Sequence, residues 1–174
     1  MTQSKLCNIE AFCLIAVKFM ELSGVMSNWT PHGKRLIALS MCEKGKSFIG
    51  AALLLRKQGG YEYVVLHLLC QGIEVLGKGY LLLQNYDKYE PQLRSIGHNL
   101  DRLLREVEQV SGINLRARGV QAEVTELNQL YSQHLLRYGS EMDVFIDPKT
   151  ISSNRVLRRL AAVLRYADRT GALR

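Results

Sequence analysis

The chain has 174 residues with a net charge of +7, 47% hydrophobic and 22% charged side chains. That length suits one domain and buries a core without disulfides or metal, and the apolar share excludes a disordered chain. The charge favours an anionic partner (RNA, DNA, a nucleotide or an acidic protein), although a basic but inert surface accounts for it equally well.

The first predicted helix covers residues 4–22. Leu6, Ile9, Cys13, Ala16 and Met20 recur at helical spacing, and Ser23-Gly24 stops it. The apolar run Ala11 to Val17 lies between Lys5 and Lys18, too short for a bilayer and without a small-x-small cleavage site. A cytoplasmic protein with no membrane span is therefore expected. Cys7, Cys13, Cys42 and Cys70 include no Cys-x-x-Cys pair and read as small core residues in a reducing compartment. No clustered metal ligands are visible, so neither metal nor cofactor is expected.

Thr30 caps the second predicted helix, Pro31 fits its first position, and the apolar pattern runs to Lys57 before Gly59-Gly60 breaks it. Gly45 and Gly50 point to a kink or a close helix contact. The third helix, residues 61–84, is apolar around most of its circumference, as a helix in the centre of a bundle or in a membrane would be. His67, Gln71, Glu74 and Lys78 argue against the membrane. Gly72, Gly77 and Gly79 would admit another helix, from this chain or a second copy. Residues 85–92 read as a loop containing Pro91. A fourth helix runs from near His98 to Val110, and a fifth covers residues 121–138. After Asp147-Pro148, Ser152 or Ser153 caps a last helix reaching Asp168. No segment alternates as a strand. The fold expected is all-α, an antiparallel bundle of five to six helices spanning residues 30–170, with residues 1–29 as an added N-terminal helix.

Four constellations could carry chemistry. His67, Gln71, Glu74 and Lys78 share one face of the most apolar helix, with Glu74 and Lys78 an i,i+4 pair. A satisfied structural network, or one solvent-facing strip, explains the same stripe. His98 stands at a helix start beside Asn99 and Asp101, where it could cap or pack, or where an anion could meet a titratable imidazole. Arg137 follows Tyr131 and His134 near a helix C-terminus, a position the dipole alone favours. Arg155, Arg158, Arg159, Arg165 and Arg169 form a basic face opposite the leucines of the last helix. Such a face is solvated or binds phosphate. No Walker loop, Gly-x-Gly-x-x-Gly, His-Glu-x-x-His or Gly-x-Ser-x-Gly appears.

In order, Leu66-His67 through Gln71, Ile73-Glu74 and Lys78 to Leu83, then Gly97-His98-Asn99-Leu100 with Leu103-Leu104, then Tyr131 and Leu136-Arg137-Tyr138 resemble the HEPN family, the higher-eukaryote and prokaryote nucleotide-binding domains. The resemblance covers residues 34–164. It implies a bundle of four to five helices, a homodimer, and nucleotide or RNA chemistry in a toxin or defence setting, with an antitoxin as a possible protein partner. Active members resemble metal-independent ribonucleases in which four to six residues separate an arginine from a following histidine.

Here Arg94 precedes His98 with three residues between, no histidine follows Arg137 at the family's distance, Asn99 stands for aspartate and Gly139 for proline. The expectation is thus a non-catalytic dimer binding a nucleotide, RNA or protein through His67, Gln71, Glu74, Lys78, Tyr131, Arg137 and Tyr138, with His98 beside them. The alternatives are a metal-independent ribonuclease using His98 with Arg94 or Arg137, and a structural helical adaptor.

Overall fold

A computed structural model describes residues 29–117, 119–137 and 142–170, with side chains described at 29–117, 119–137 and 144–165. The expected helix at residues 4–22, with Cys7 and Cys13, lies outside them. The chain separates into two compact units, Met1–Lys34 and Arg35–Arg174. Among the described residues all regular structure is helical: α1 (Pro31–Lys57), α2 (Glu62–Gln84), α3 (Tyr86–Ile96), α4 (Leu100–Ser111), α5 (Val120–Ser132), the single turn α6 (Met142–Phe145), a 3₁₀ turn (Pro148–Thr150) and α7 (Asn154–Thr170).

α1 starts as its sequence dictates: the Thr30 hydroxyl accepts from the Gly33 N–H at 3.1 Å. α2 is the central element, against which α3, α4 and α5 pack. By length and composition it could cross a bilayer, yet most of that apolar stretch is buried inside the bundle. Its glycines explain how. A Cβ on Gly72 would meet the Gly45 carbonyl at 3.0 Å, one on Gly79 the Cys42 nitrogen at 2.9 Å, and one on Gly77 the Leu103 side chain at 3.0 Å. The helices received by these glycines are therefore α1 and α4 of the same chain. Contacts of Cys42 with Gly79 and of Ile49 with Gly72 run in opposite senses along the two helices, so α1 and α2 are antiparallel. Gly45 takes a close contact with the Leu76 backbone, whereas nothing approaches Gly50 within 4 Å. The close approaches at Gly72, Gly77 and Gly79 are thus made within one chain.

Cys42 and Cys70 are free and buried in this core, and burial pushes the Cys42 thiol up to about 11 and that of Cys70 higher still. Neither is a thiolate near neutral pH.

Three helix boundaries differ from the sequence expectation. Residues 86–96 are helical despite Pro91, because the Asn85 side chain accepts from the Lys88 N–H at 3.0 Å and Tyr89, Leu93 and Ile96 turn into the core. α4 begins only after Asn99, whose side chain caps it by accepting from the Arg102 N–H at 2.9 Å. α5 ends at Ser132 and residues 133–137 form turns, so Arg137 is carried by a turn.

Neither Ser152 nor Ser153 caps α7 with its hydroxyl. The buried Glu123 carboxylate of α5 does so from a neighbouring helix, accepting from the Arg155 and Val156 N–H groups at 2.9 Å each and from the Ser152 hydroxyl at 2.7 Å. A carboxylate at a helix N-terminus is stabilised by both the free N–H groups and the dipole. At that helix end Ser153 contributes only its carbonyl, which accepts from the Leu157 N–H at 3.0 Å; its hydroxyl accepts from Arg56, which also pairs with Glu62 across the α1–α2 turn.

Candidate functional site

The polar stripe of α2 faces inward at its centre. Glu74 is 5% exposed. A carboxylate so placed needs donors on both oxygens, and it has them. Oε1 accepts from Lys78 Nζ at 2.7 Å, while Oε2 accepts from the Tyr131 hydroxyl at 2.5 Å and lies 2.9 Å from His98 Nδ1. Burial alone would raise the Glu74 pKa, but the hydrogen bonds from His98, Lys78 and Tyr131 outweigh it and hold the group below the ordinary carboxylate value. An ionised Glu74 only accepts, so His98 Nδ1 must carry a hydrogen, and in the neutral ring Nε2 is then a free lone pair.

Tyr131 reaches this point from α5. Burial, and then the hydrogen bond to Glu74, push its phenol far above the usual range, so the hydroxyl stays a donor. The single proton goes to Glu74, at 2.5 Å. The Gln71 side chain, 2.9 Å from the same oxygen, is therefore better satisfied with its amide NH₂ turned toward Tyr131. Arg137 approaches the Tyr131 hydroxyl from the turn after α5 and acts against protonation of both Tyr131 and His67. His67 is held neutral by burial first and by Arg137 second. Its Nδ1 is buried without a hydrogen-bond partner among the described residues, and its ring lies 5.9 Å from that of Tyr131.

The segment carrying His98 is pinned on both sides. Asn99 caps α4, and Asn128 of α5 accepts from the Leu100 N–H at 2.7 Å. Gly97 supplies the turn out of α3 with φ 57°. His98 itself is 37% exposed at its side chain, so one edge of the ring is held by a buried carboxylate and the rest meets solvent. The His134 ring stands edge-on to it, 5.1 Å between centroids.

Three separate stretches of sequence are thus brought to one place: His67, Gln71, Glu74 and Lys78 from α2, His98 before α4, and Tyr131 and Arg137 from the end of α5 and its turn. Arg94 is not among them. It is exposed in the last turn of α3 and makes no hydrogen bond or ion pair with the site. Tyr138 lies outside the described residues. On α7, Arg155, Arg158 and Arg165 are exposed. Arg159 instead turns onto the Asn114 carbonyl, bracing the loop before α5. The side chain of Arg169 lies outside the described set. His134, which the sequence reading passed over as a site residue, belongs to the cluster.

No family model, curated protein or solved structure matches the chain.

The arrangement holds one imidazole in a defined tautomer beside an arginine and a second imidazole, on a surface whose negative charge is already neutralised from within. Such a surface attracts anions and presents donors to them. No group of His, Cys, Asp and Glu among the described residues is arranged to hold a metal ion.

Proposed function

We propose that this chain is a HEPN-like helical protein that binds the phosphate of a nucleotide or of RNA at the surface formed by His98 and Arg137. The observation that carries this reading is the convergence of His98 and Tyr131 on the buried Glu74, with the Arg137 charge acting on Tyr131 from the following turn. The family resemblance draws on the same three segments. Glu74 fixes the His98 ring, Tyr131 and Lys78 keep Glu74 ionised, and Arg137 supplies a permanent charge. The exposed Arg155, Arg158 and Arg165 give a longer anion an additional electrostatic contact. By the same resemblance the protein acts as a cytoplasmic homodimer, with an antitoxin-like protein as a further partner.

A metal-independent ribonuclease is the second reading, favoured by the free Nε2 of His98. A base there could take the proton of a ribose 2′-hydroxyl while Arg137 steadies the charge on phosphorus. That Arg94 is exposed and makes no hydrogen bond or ion pair with the cluster weighs toward binding alone.

Fluorescence anisotropy with a labelled single-stranded RNA tests both. Binding should weaken steeply with salt and with charge reversal at Arg158 and Arg165. His98→Ala and Arg137→Ala should each lower affinity by about tenfold or more, the value of a lost charge-assisted hydrogen bond. Affinities equal to the parent's in both variants would overturn the assignment of the site. EDTA-resistant cleavage leaving 2′,3′-cyclic phosphate ends, abolished by His98→Ala, would establish the second reading instead.

A further inference from the structure

α5 ends in a turn that suits glycine, and a histidine occupies it. The Leu135 N–H donates to the Leu130 carbonyl at 3.0 Å and the His134 N–H to the Tyr131 carbonyl at 3.1 Å. These are the paired bonds of a Schellman ending, whose left-handed position glycine usually fills. Here that position is His134, at φ 62°, the one non-glycine residue with positive φ among those described. A Cβ strains the backbone there, and strain of this kind collects at binding sites. What the strained turn achieves is placement. The exposed His134 ring is set against that of His98, at 5.1 Å and 77° between planes, three residues before Arg137.

The charged and titratable groups around this pair are few. From α2 come Glu74, Lys78 and His67, from α5 Tyr131, and from the turn Arg137. Glu74 already accepts from Lys78, His98 and Tyr131, so its charge is neutralised before it could serve His134. His67 is kept neutral. Two adjacent imidazoles with the Arg137 side chain nearby give an anion several donors at one place.

Resting on the phosphate-binding reading above, we infer that His134 contacts the ligand, and that His98, His134 and Arg137 together take a phosphomonoester dianion with proton uptake. A dianion matches three cationic groups better than the single charge of an internal phosphodiester does. Imidazoles change charge between about pH 5 and 8, and a phosphomonoester loses its second charge below about pH 6. Affinity should therefore rise as pH falls from about 8 toward about 6.5 and then level off. A free nucleoside monophosphate and a phosphorylated RNA end present the same group.

Isothermal titration distinguishes these cases, with adenosine 5′-monophosphate, a 5′-phosphorylated RNA oligonucleotide and its hydroxyl-ended counterpart as probes. Each is run in two buffers of different ionisation heat, at about pH 6.5 and about pH 8. The parent protein should prefer the phosphorylated oligonucleotide about tenfold over the hydroxyl-ended one and take up protons on binding. Comparable binding of the monophosphate identifies a free nucleotide as ligand; binding of the oligonucleotide alone identifies an RNA end. His134→Gly relieves the backbone, so it should not lower the melting temperature. It should weaken phosphate binding about tenfold at the lower pH and reduce the proton uptake. His134→Asn, which tolerates the left-handed conformation, should lose the same affinity. A His134→Gly protein that binds with the parent's affinity and pH profile, or that melts lower, would overturn the inference while leaving His98 and Arg137 as the phosphate site. Equal binding of both oligonucleotides would do the same. A parent that binds none of the probes would overturn both readings.

Discussion

Glu74→Gln is the sharpest perturbation of the network, because the substitution keeps size and shape and removes only charge and acceptor capacity. The glutamate accepts from Lys78 at 2.7 Å, Tyr131 at 2.5 Å and His98 at 2.9 Å. A glutamine offers one acceptor oxygen, and its NH₂ must face either the Lys78 ammonium or the His98 Nδ1–H, both donors. Lys78 is 14% exposed at its side chain, so its charge is poorly hydrated once stranded. Removing one partner of a buried pair costs about 3–5 kcal/mol. The remaining acceptor oxygen and the partial exposure of Lys78 place the expectation at the lower end, about 3 kcal/mol. The assay is urea unfolding at neutral pH, read as a shift in midpoint with unchanged slope. Glu43→Gln is the matched control: Glu43 pairs with Lys46 at 2.9 Å but is 67% exposed, and its loss should cost less than about 1 kcal/mol. The acid limb adds a check of sign. Because the folded-state pKa of Glu74 is depressed, its stabilisation is complete above the unfolded carboxylate value and disappears as pH falls through the folded one. The gap between parent and Glu74→Gln should thus narrow below about pH 4. Equal costs for the two glutamine variants would refute the account of a desolvated, charge-dependent network.

Glu123→Gln should destabilise the protein by about 1–2 kcal/mol, the value of a charged helix cap. Hydrogen exchange should show the loss concentrated at the Arg155 and Val156 amides; protection unchanged there would contradict the capping role. Two glycines of one helix should respond oppositely to alanine. Gly45→Ala drives a Cβ to 2.5 Å from the Leu76 nitrogen, and should cost about 2 kcal/mol or more in thermal unfolding. Gly50→Ala meets nothing within 4 Å and should stabilise α1 by up to about 1 kcal/mol. Equal responses would contradict the close packing of α1 on α2.

Much of this architecture can be read along the chain because its causes are local. The Thr30-Pro31 helix start, the apolar circumference of α2 and its polar stripe are periodic or adjacent signals. The glycines of α2 announced a close helix, though not whose. The boundary errors share a different cause. Pro91 argues against a helix locally, but Tyr89, Leu93 and Ile96 gain enough by packing to keep residues 86–96 helical. The end of α5 carries no glycine, and His134 in its place hides both the turn and a member of the site. Glu123 caps a helix whose first residue lies 31 positions later, a partnership no local pattern records. Among the candidate residues, those tied to Glu74 share a stripe or a recognisable segment, whereas Arg94 was selected by spacing alone and its helix points it into solvent. Arg159 looks equivalent to Arg158 on a helical wheel, and only the Asn114 carbonyl distinguishes them.

The central claim is that a phosphate-bearing ligand sits at His98 and its neighbours, and histidine-selective NMR measures this directly. The chain has four histidines, His32, His67, His98 and His134, each giving its own imidazole resonances. Titrating a 5′-phosphorylated RNA oligonucleotide and adenosine 5′-monophosphate should move the His98 and His134 signals together and saturably. Exposed His32 should stay in place, and half-buried His67, whose pKa is lowered, should respond weakly through Tyr131. Saturable binding that leaves His98 and His134 unmoved would contradict the account.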